Sequence, residues 1–436
     1  MRASRVPREL VRRLRSTGGR DLLQRAVRAL GDRVGVRELD MPLLPGDIAD
    51  SGLLHLPAAP VRAEGPASIG WICTPPDRGS GGHTTLFRMV QGLVERGHRG
   101  TLFLYDRHGA DFETRAAIIR AGWPWLDVDI RSIDDGVTGV DAAVATSWET
   151  AHVLATRGTA PMARLYFVQD FEPFFHPRGT LAALAEDSYR FGFRTIALGE
   201  MVRSHLDAID VPSETAPFGC DTATYTLENP DGERSGVVFY AKPAADRRGY
   251  LLGRRALSLF HAEHPDVPIH VYGTAPGAWD VPVIEHGTLA PRELAALYNR
   301  CSAGLALSFT NISLVAEELL ACGAVAVVND AVDARADLPH PGASWARPTP
   351  AGIAEALGRA VVAARPGREV AAGVRHGWGP AQEVVERVVL DELARRSVTP
   401  LAAAPAPALV PEVAPDLVGT LTLVPALAPA RSDSRP

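Results

Sequence analysis

Between about residues 66 and 390 the chain alternates two kinds of hydrophobic pattern. Short apolar runs stand at 68–73 (SIGWIC), 101–105 (TLFLY), 141–146 (DAAVAT), 165–169 (LYFVQ) and 195–198 (TIAL). Each has the length of a buried strand. Between them apolar residues return at helical spacing, as at Leu86, Met89, Val90 and Leu93 within 83–96. A second series begins near residue 235. Its expected strands are 236–241 (GVVFYA), 268–272 (PIHVY), 303–308 (AGLALS) and 324–329 (AVAVVN), with helices at 250–263, 291–300 and 314–321. Apolar strands alternating with helices predict an α/β chain with parallel sheets covered on both faces. Two doubly wound units in tandem leave a cleft between two sheets. Ligands of such sheets sit beyond the carboxyl ends of the strands, so chemistry is expected in the loops after Cys73, Gln169, Ala241, Tyr272 and Ser308.

The two ends read differently. Residues 1–40 hold eleven arginines against five acids, and Leu10, Val11, Leu14, Leu22, Leu23, Val27 and Leu30 recur at near-helical spacing. Gly18-Gly19 splits the stretch into two short expected helices. They read either as a solvated pair docked on the body or as a basic anchor for an anionic membrane surface. Residues 41–66 are rich in Pro, Gly and Ala and read as a connector. From 398 to 436, eight prolines among many alanines predict a disordered, polyproline-like tail. The expected division is 1–65 for the helical extension and linker, 66–212 and 213–397 for the two Rossmann-like units, and 398–436 for the tail.

Composition narrows the classes of function. With 436 residues, 46% hydrophobic and 22% charged, the chain can bury a sizeable core. A net charge of −6 argues against a nucleic-acid partner. The four cysteines (Cys73, Cys220, Cys301, Cys322) form no CxxC pair. That spacing argues against a disulfide framework or zinc knuckle and fits a reducing compartment. No apolar run reaches the 18 residues of a spanning helix, and no secretory core is evident near Met1. The expected location is cytoplasmic, peripheral on the inner face of the plasma membrane if residues 1–40 serve as an anchor. Among 45 basic residues a single one, Lys242, is lysine.

Four segments carry candidate chemistry. Asp77–Thr85 is a glycine-rich turn that opens a helix, and Gly81, Gly82 and His83 lie where backbone N–H groups can approach an anion. It contains neither GxGxxG nor GxxxxGK[ST]. The run 166–175 (YFVQDFEPFF) gathers two acids and five aromatics at the end of a buried strand, with Asp170 the better placed acid. Next, 239–249 brings Lys242, Arg247 and Arg248 onto one loop, where two cations can hold a diphosphate. Last, 308–323 leads from a loop into a helix closed by Gly323. Its N-terminus suits phosphate oxygens, and a glutamate one turn in can take both hydroxyls of a ribose. Each segment also has a plain structural reading: a tight turn, an aromatic core patch, a surviving lysine, acids near a helix start.

Together these segments resemble the GT-B glycosyltransferases of family four. Pro217-Phe218-Gly219-Cys220-Asp221 is similar to the family's P-x-G-V-D segment. Lys242 and Arg247 resemble its two basic diphosphate ligands, with Arg248 as the other choice within the doublet. His286-Gly287 and 293–298 (ELAALY) resemble its next loop and helix, 301–308 its following strand, and 318–323 (ELLACG) the end of its E-x7-E motif. The chain departs from that motif at Thr310, where the first glutamate usually stands. GGHTTLFR at 81–88, FVQDFEPFF at 167–175, FYAKP at 239–243 and the TNxSL stretch from Thr310 resemble a WsaF-like rhamnosyltransferase subgroup.

The resemblance implies a GT-B fold, with an acceptor-side unit first and a nucleotide-sugar-binding unit second. It implies transfer of a sugar, foremost rhamnose from dTDP-rhamnose, then UDP- or GDP-linked sugars, to a saccharide or lipid-linked saccharide acceptor in surface-glycan synthesis. Lys242 and Arg247 would neutralise the departing diphosphate. Asn311, Ser313 and Leu314 would offer donors to the phosphates, Glu318 would hold the ribose, and Gly81 and Gly82 would approach the sugar phosphate. Asp170 is the candidate acceptor-activating base. No D-x-D pair stands in a convincing place, so neither a metal nor a separate cofactor is expected. Three other readings are a nucleotide-sugar epimerase, an inactive GT-B subunit that binds glycan or a partner, and a membrane-surface adaptor.

Overall fold

The computed structural model describes residues 41–58, 65–77, 79–109, 111–273, 279–374 and 377–398. The helix pair expected in 1–40 and the tail expected after residue 398 lie outside the described residues. The first sheet contains β1 (Ser68–Cys73), β2 (Arg99–Leu104), β3 (Asp129–Ser132), β4 (Ala142–Ala145), β5 (Ala163–Val168), β6 (Arg194–Leu198) and β7 (Ser213–Ala216). Its helices are α1 (Gly81–Glu95), α2 (Phe112–Gly122), α3 (Trp148–Arg157), α4 (Thr180–Ser188) and α5 (Glu200–Asp207). The second sheet contains β8 (Val237–Ala241), β9 (Ile269–Gly273), β10 (Ile284–Glu285), β11 (Ala303–Leu305), β12 (Val325–Asn329) and β13 (Ala343–Ala346). With it run α6 (Tyr250–Glu263), α7 (Pro291–Arg300), α8 (Leu314–Ala321), α9 (Ala334–Asp337), α10 (Pro350–Ala363) and α11 (Gly367–Ala371), and α12 (Gly379–Val398) follows.

Every pairing is parallel. The strand orders are β3-β2-β1-β4-β5-β6-β7 and β10-β9-β8-β11-β12-β13. Both orders reverse at their first strand, so β1 and β8 mark the topological switch points where ligands of open sheets bind. Strand β1 shows why its run is continuously apolar. Ile69 and Trp71 enter a core with α1 and α12, while Ile72 packs on the opposite face with Trp148 and Leu43.

Two segments pack otherwise than their sequence suggests. Residues 41–58, expected as a connector, are fixed to the first half. Leu43 is fully buried, and Asp47 accepts from Arg157 Nε and Nη2 at 2.7 and 2.8 Å and from the Tyr105 hydroxyl at 2.9 Å. Helix α12, expected within the second unit, lays Ala381, Val385, Val388, Val389 and Leu393 into the core of the first sheet, beside Ile69, Leu165 and Phe218. The chain therefore crosses between the halves twice. The crossings touch where Gly377 N donates to Cys220 O at 2.9 Å.

Candidate active site

The loop after β8 builds one wall. Strand β8 ends at Ala241, Lys242 follows, and a short 3-10 turn (Asp246–Arg248) sets Arg247 and Arg248 beside it. Gly249 closes that turn at φ +63° and lies against Leu307 and Phe309, which requires a residue without a Cβ. Arg248 is drawn inward. Its Nη1 donates to Ser308 Oγ at 2.7 Å and to Asn311 Oδ1 at 3.3 Å, both neutral acceptors. Burial first, then the neighbouring Arg247 charge, pull this guanidinium down to about 10. A cation held without a carboxylate hydrogen bond in a desolvated place is costly unless an anion joins it. The Lys242 ammonium makes no hydrogen bond or ion pair among the described residues. Its ammonium is also held below its ordinary range, by burial and then by Arg247 and Arg248.

The loop into α8 builds the facing wall. Ser308 N donates to Asn329 Oδ1 at 2.7 Å, and Ser313 caps α8 by accepting from Val315 N at 3.3 Å. Tyr240, Arg248, Leu307, Ser313 and Val315 line a common recess, and Leu314 opens the helix beside it. Glu318 lies one turn further on, partly buried, and its carboxyl has no hydrogen bond among the described residues. Burial, then the Asp221 charge, push its carboxyl up to about 8. Glu317, the other acid of the pair, is the more buried side chain. Arg248 lines the recess, and the charges of Arg248, Glu318 and Arg247 all act on Tyr240, which lines it too, so cations and a carboxyl stand near one another here. A diphosphate followed by a ribose needs both.

From the first sheet, β5 delivers Gln169 and Asp170 to the same place. Asp170 is 8% exposed. Its Oδ1 accepts from Thr310 Oγ1 at 2.7 Å and its Oδ2 from Arg247 Nη1 at 3.5 Å. Asn311 Nδ2 donates to Gln169 O at 3.3 Å, so this amide is engaged within the protein on both its oxygen and its nitrogen. Arg247 stacks on Phe175, 4.6 Å from the ring centroid. Beneath this loop Glu172 accepts from Trp148 N and from the Tyr166 hydroxyl. Burial and the Glu149 charge hold Glu172 well above the carboxylate range, so its role is to brace the backbone next to Asp170.

Helix α1 begins at Gly81. A Cβ there would meet nothing within 4 Å, and one at Gly82 only Gln169 Oε1 at 3.9 Å. The open side of this helix start is where a ligand has room. His83 differs: Ser80 Oγ lies 2.8 Å from its Nδ1 and Thr74 O 2.9 Å from its Nε2. Burial lowers its pKa, and the neutral ring braces the loop between β1 and α1. The structure therefore brings together Asp170, Lys242, Arg247, Asn311, Ser313, Leu314 and Glu318. Sequence reasoning left Arg248 as an alternative and did not single out Tyr240 or Asn329. Position within the doublet was the available signal for Arg248; for Asn329 there was none.

This is a GT-B fold. The glycosyltransferase of Rickettsia africae shares it with a TM-score of 0.52 at 10% identity, over 76% of this chain and 97% of that one. So does HepE of Anabaena, solved with UDP and glucose, with a TM-score of 0.52 at 14% identity over 76% and 98%. Such identities speak to the fold alone. In sequence, residues 235–358 match the family model of the WsaF C-terminal domain. The O-antigen biosynthesis protein RfbC of Myxococcus xanthus is 32% identical over 339 residues, which is 72% of this chain. The chain spans about a quarter (26%) of that relative's length. Among the described residues, no helix is long and apolar enough to cross a membrane, and no three His, Cys, Asp or Glu side chains gather where they could hold a metal ion.

Proposed function

We propose that the chain is a glycosyltransferase that moves a sugar from a nucleoside-diphosphate donor to a saccharide or lipid-linked saccharide acceptor in surface-glycan synthesis. The observation that carries this reading is the half-buried Arg248, hydrogen-bonded to the neutral Ser308 and Asn311 beside Lys242 and Arg247, with the charges of both arginines and of Glu318 converging on Tyr240 in the same recess. The match of residues 235–358 to the WsaF C-terminal domain falls on this half of the cleft, and the likeness to RfbC supports a place in O-antigen-type synthesis. Resemblance to the WsaF-like rhamnosyltransferases makes dTDP-rhamnose the preferred donor.

In this reading the three cations stabilise the charge that grows on the leaving diphosphate, a task metal-dependent enzymes give to a divalent ion. The two arginines are held by contacts within the protein before the reaction, which limits the reorganisation that accompanies bond breaking. Lys242 contributes a compact charge and Arg248 a fork of donors. Glu318 takes the ribose diol, and α8 offers its first N–H groups near Leu314. Asp170, at the meeting point of the halves, accepts the proton of the acceptor hydroxyl. The two sheets shield the donor from water while both substrates are bound.

Calorimetry with dTDP, UDP and GDP tests the donor site. One of them is expected to bind, and Lys242→Ala and Arg248→Met are each expected to weaken it about 10- to 150-fold, the worth of a charge-assisted contact. Selectivity for dTDP would favour a deoxysugar donor. Folded protein that binds none of the three would remove the reading, and turnover of the matching sugar nucleotide separates an enzyme from a binding subunit.

A further inference from the structure

Polar contacts across the cleft concentrate on one short segment of the first half. Gln169 O, both carboxylate oxygens of Asp170 and the Phe175 ring all engage residues of the second half: Asn311, Thr310 and Arg247. Asp170 has a second influence, because its charge also acts on the half-buried Arg248. Without a ligand, Lys242, Arg247 and Arg248 repel one another on a single loop. Asp170 is the carboxylate that comes from outside that loop to offset them at the Arg247 end.

We propose that Asp170 is a built-in stand-in for the donor's phosphate, holding Arg247 until a diphosphate displaces it. The idea rests on the reading of this recess as a diphosphate site. Asp170 offers Arg247 one carboxylate oxygen, an anionic acceptor that a phosphate oxygen can replace. The 3.5 Å separation on Arg247 is long, whereas the 2.7 Å bond from Thr310 is short, so the Arg247 contact is the one that yields. Once displaced, Asp170 keeps Thr310 and remains aimed across the cleft. Its freed oxygen is then available to an acceptor hydroxyl. In the transfer step the acceptor O–H bond breaks and its proton passes to Asp170. The new bond from that oxygen to the sugar's anomeric carbon forms, and the bond from that carbon to the diphosphate breaks, its electron pair leaving on the nucleoside diphosphate. Donor binding therefore precedes the availability of the base.

Titration of wild-type protein and Asp170→Asn with inorganic pyrophosphate and with UDP and dTDP tests this. Asparagine keeps the shape and can still accept from Thr310, so the fold is expected to persist, as a thermal melt will verify. Asp170→Asn is expected to bind pyrophosphate at least fivefold tighter than wild type, with a parallel gain for whichever nucleotide binds. Equal or weaker pyrophosphate binding by the variant would overturn the proposal. A gain for pyrophosphate with no nucleotide bound by either protein would uphold the role of Asp170 and remove the nucleotide-sugar reading. Asp170→Ser, which removes the charge with less bulk, carries the same expectation should the asparagine variant fold poorly.

Discussion

Glu318 is placed for binding at the expense of stability. Its carboxyl is raised from an ordinary value of 4.5 to about 8 by burial and by Asp221. The folded chain therefore holds a proton that the unfolded chain releases near pH 4.5. Its contribution to stability is fully present below that pH, is lost as pH rises toward 8, and then levels off. Glu318→Gln has no such titration. Its melting temperature is expected to match wild type near pH 5 and to exceed it by about 2 °C or more near pH 8.5, which melts across that range will check. The same variant should bind a nucleoside diphosphate about tenfold more weakly, since a carboxylate accepts two ribose hydroxyls where an amide has one oxygen. Binding to wild type near pH 7 should release a proton, seen as buffer-dependent heat, and the variant should release none from this site. Arg248→Met follows the same logic and is expected to melt no lower than wild type while losing the nucleotide, because it removes a partly desolvated charge that the like charge of Arg247 disfavours. Residues of this kind were unevenly legible. Lys242 stood out as the single lysine, and Glu318 by its place before the Cys322-Gly323 helix end. The bond between Asp170 and Thr310 joins positions 140 residues apart, which no local pattern reveals. The same bond shows where the carboxylate beside Thr310 comes from: it is carried by the loop after β5, from the opposite sheet.

Elements were legible where both faces are buried. Helices α6, α7 and α8 begin and end where the helical spacing places them, because Gly249, Pro291 and Ser313 punctuate their starts. Interior strands showed as apolar runs. The edge strands β3 (DIRS), β7 (SETA), β10 (IE) and β13 (ASWA) did not, since an edge keeps polar residues and needs few apolar ones. The stretch 41–58 misleads for a different reason. Its Pro and Gly content reads as a linker, yet its burial depends on Leu43 and on Asp47, whose partners Tyr105 and Arg157 lie far along the chain. Asp47 is 4% exposed. Removing Asp47 takes the two shortest bonds from a half-buried guanidinium, which keeps only the exposed Asp134, and leaves the Tyr105 hydroxyl with Leu44 N alone. Asp47→Ala is expected to cost about 2 kcal/mol, read from denaturant unfolding, while leaving nucleotide binding within twofold. A cost below about 1 kcal/mol would mean that the segment lies on the first half without contributing to it.

At the scale of the molecule, the second crossing ties the halves together. The apolar face of α12 serves the first sheet although its residues follow the second, so both halves depend on chain that passes between them. A second brace runs the other way: Asp337 of α9 accepts from Glu200 N at 2.6 Å and Met201 N at 2.9 Å, capping α5 from across the boundary. Any hinge between the halves must therefore work at the crossings themselves. There Gly219 is pressed against the returning chain, and a Cβ on it would lie 2.3 Å from Gly377 O and 2.9 Å from the Trp378 ring. The obstacle is backbone, not a flexible side-chain tip. Relief requires moving Gly377, which would disturb its bond to Cys220 O. Gly219→Ala is thus expected to lower stability by about 1–3 kcal/mol, the usual cost of forcing a methyl group into a packed site. Limited proteolysis should then cut the variant near Gly377 faster than wild type. A variant with unchanged melting and proteolysis would mean that the two crossings slide past one another freely. The closure that brings Asp170 to Thr310 and Arg247 would then have to be set by those cleft contacts and the Asp337 cap, and not by a fixed pivot.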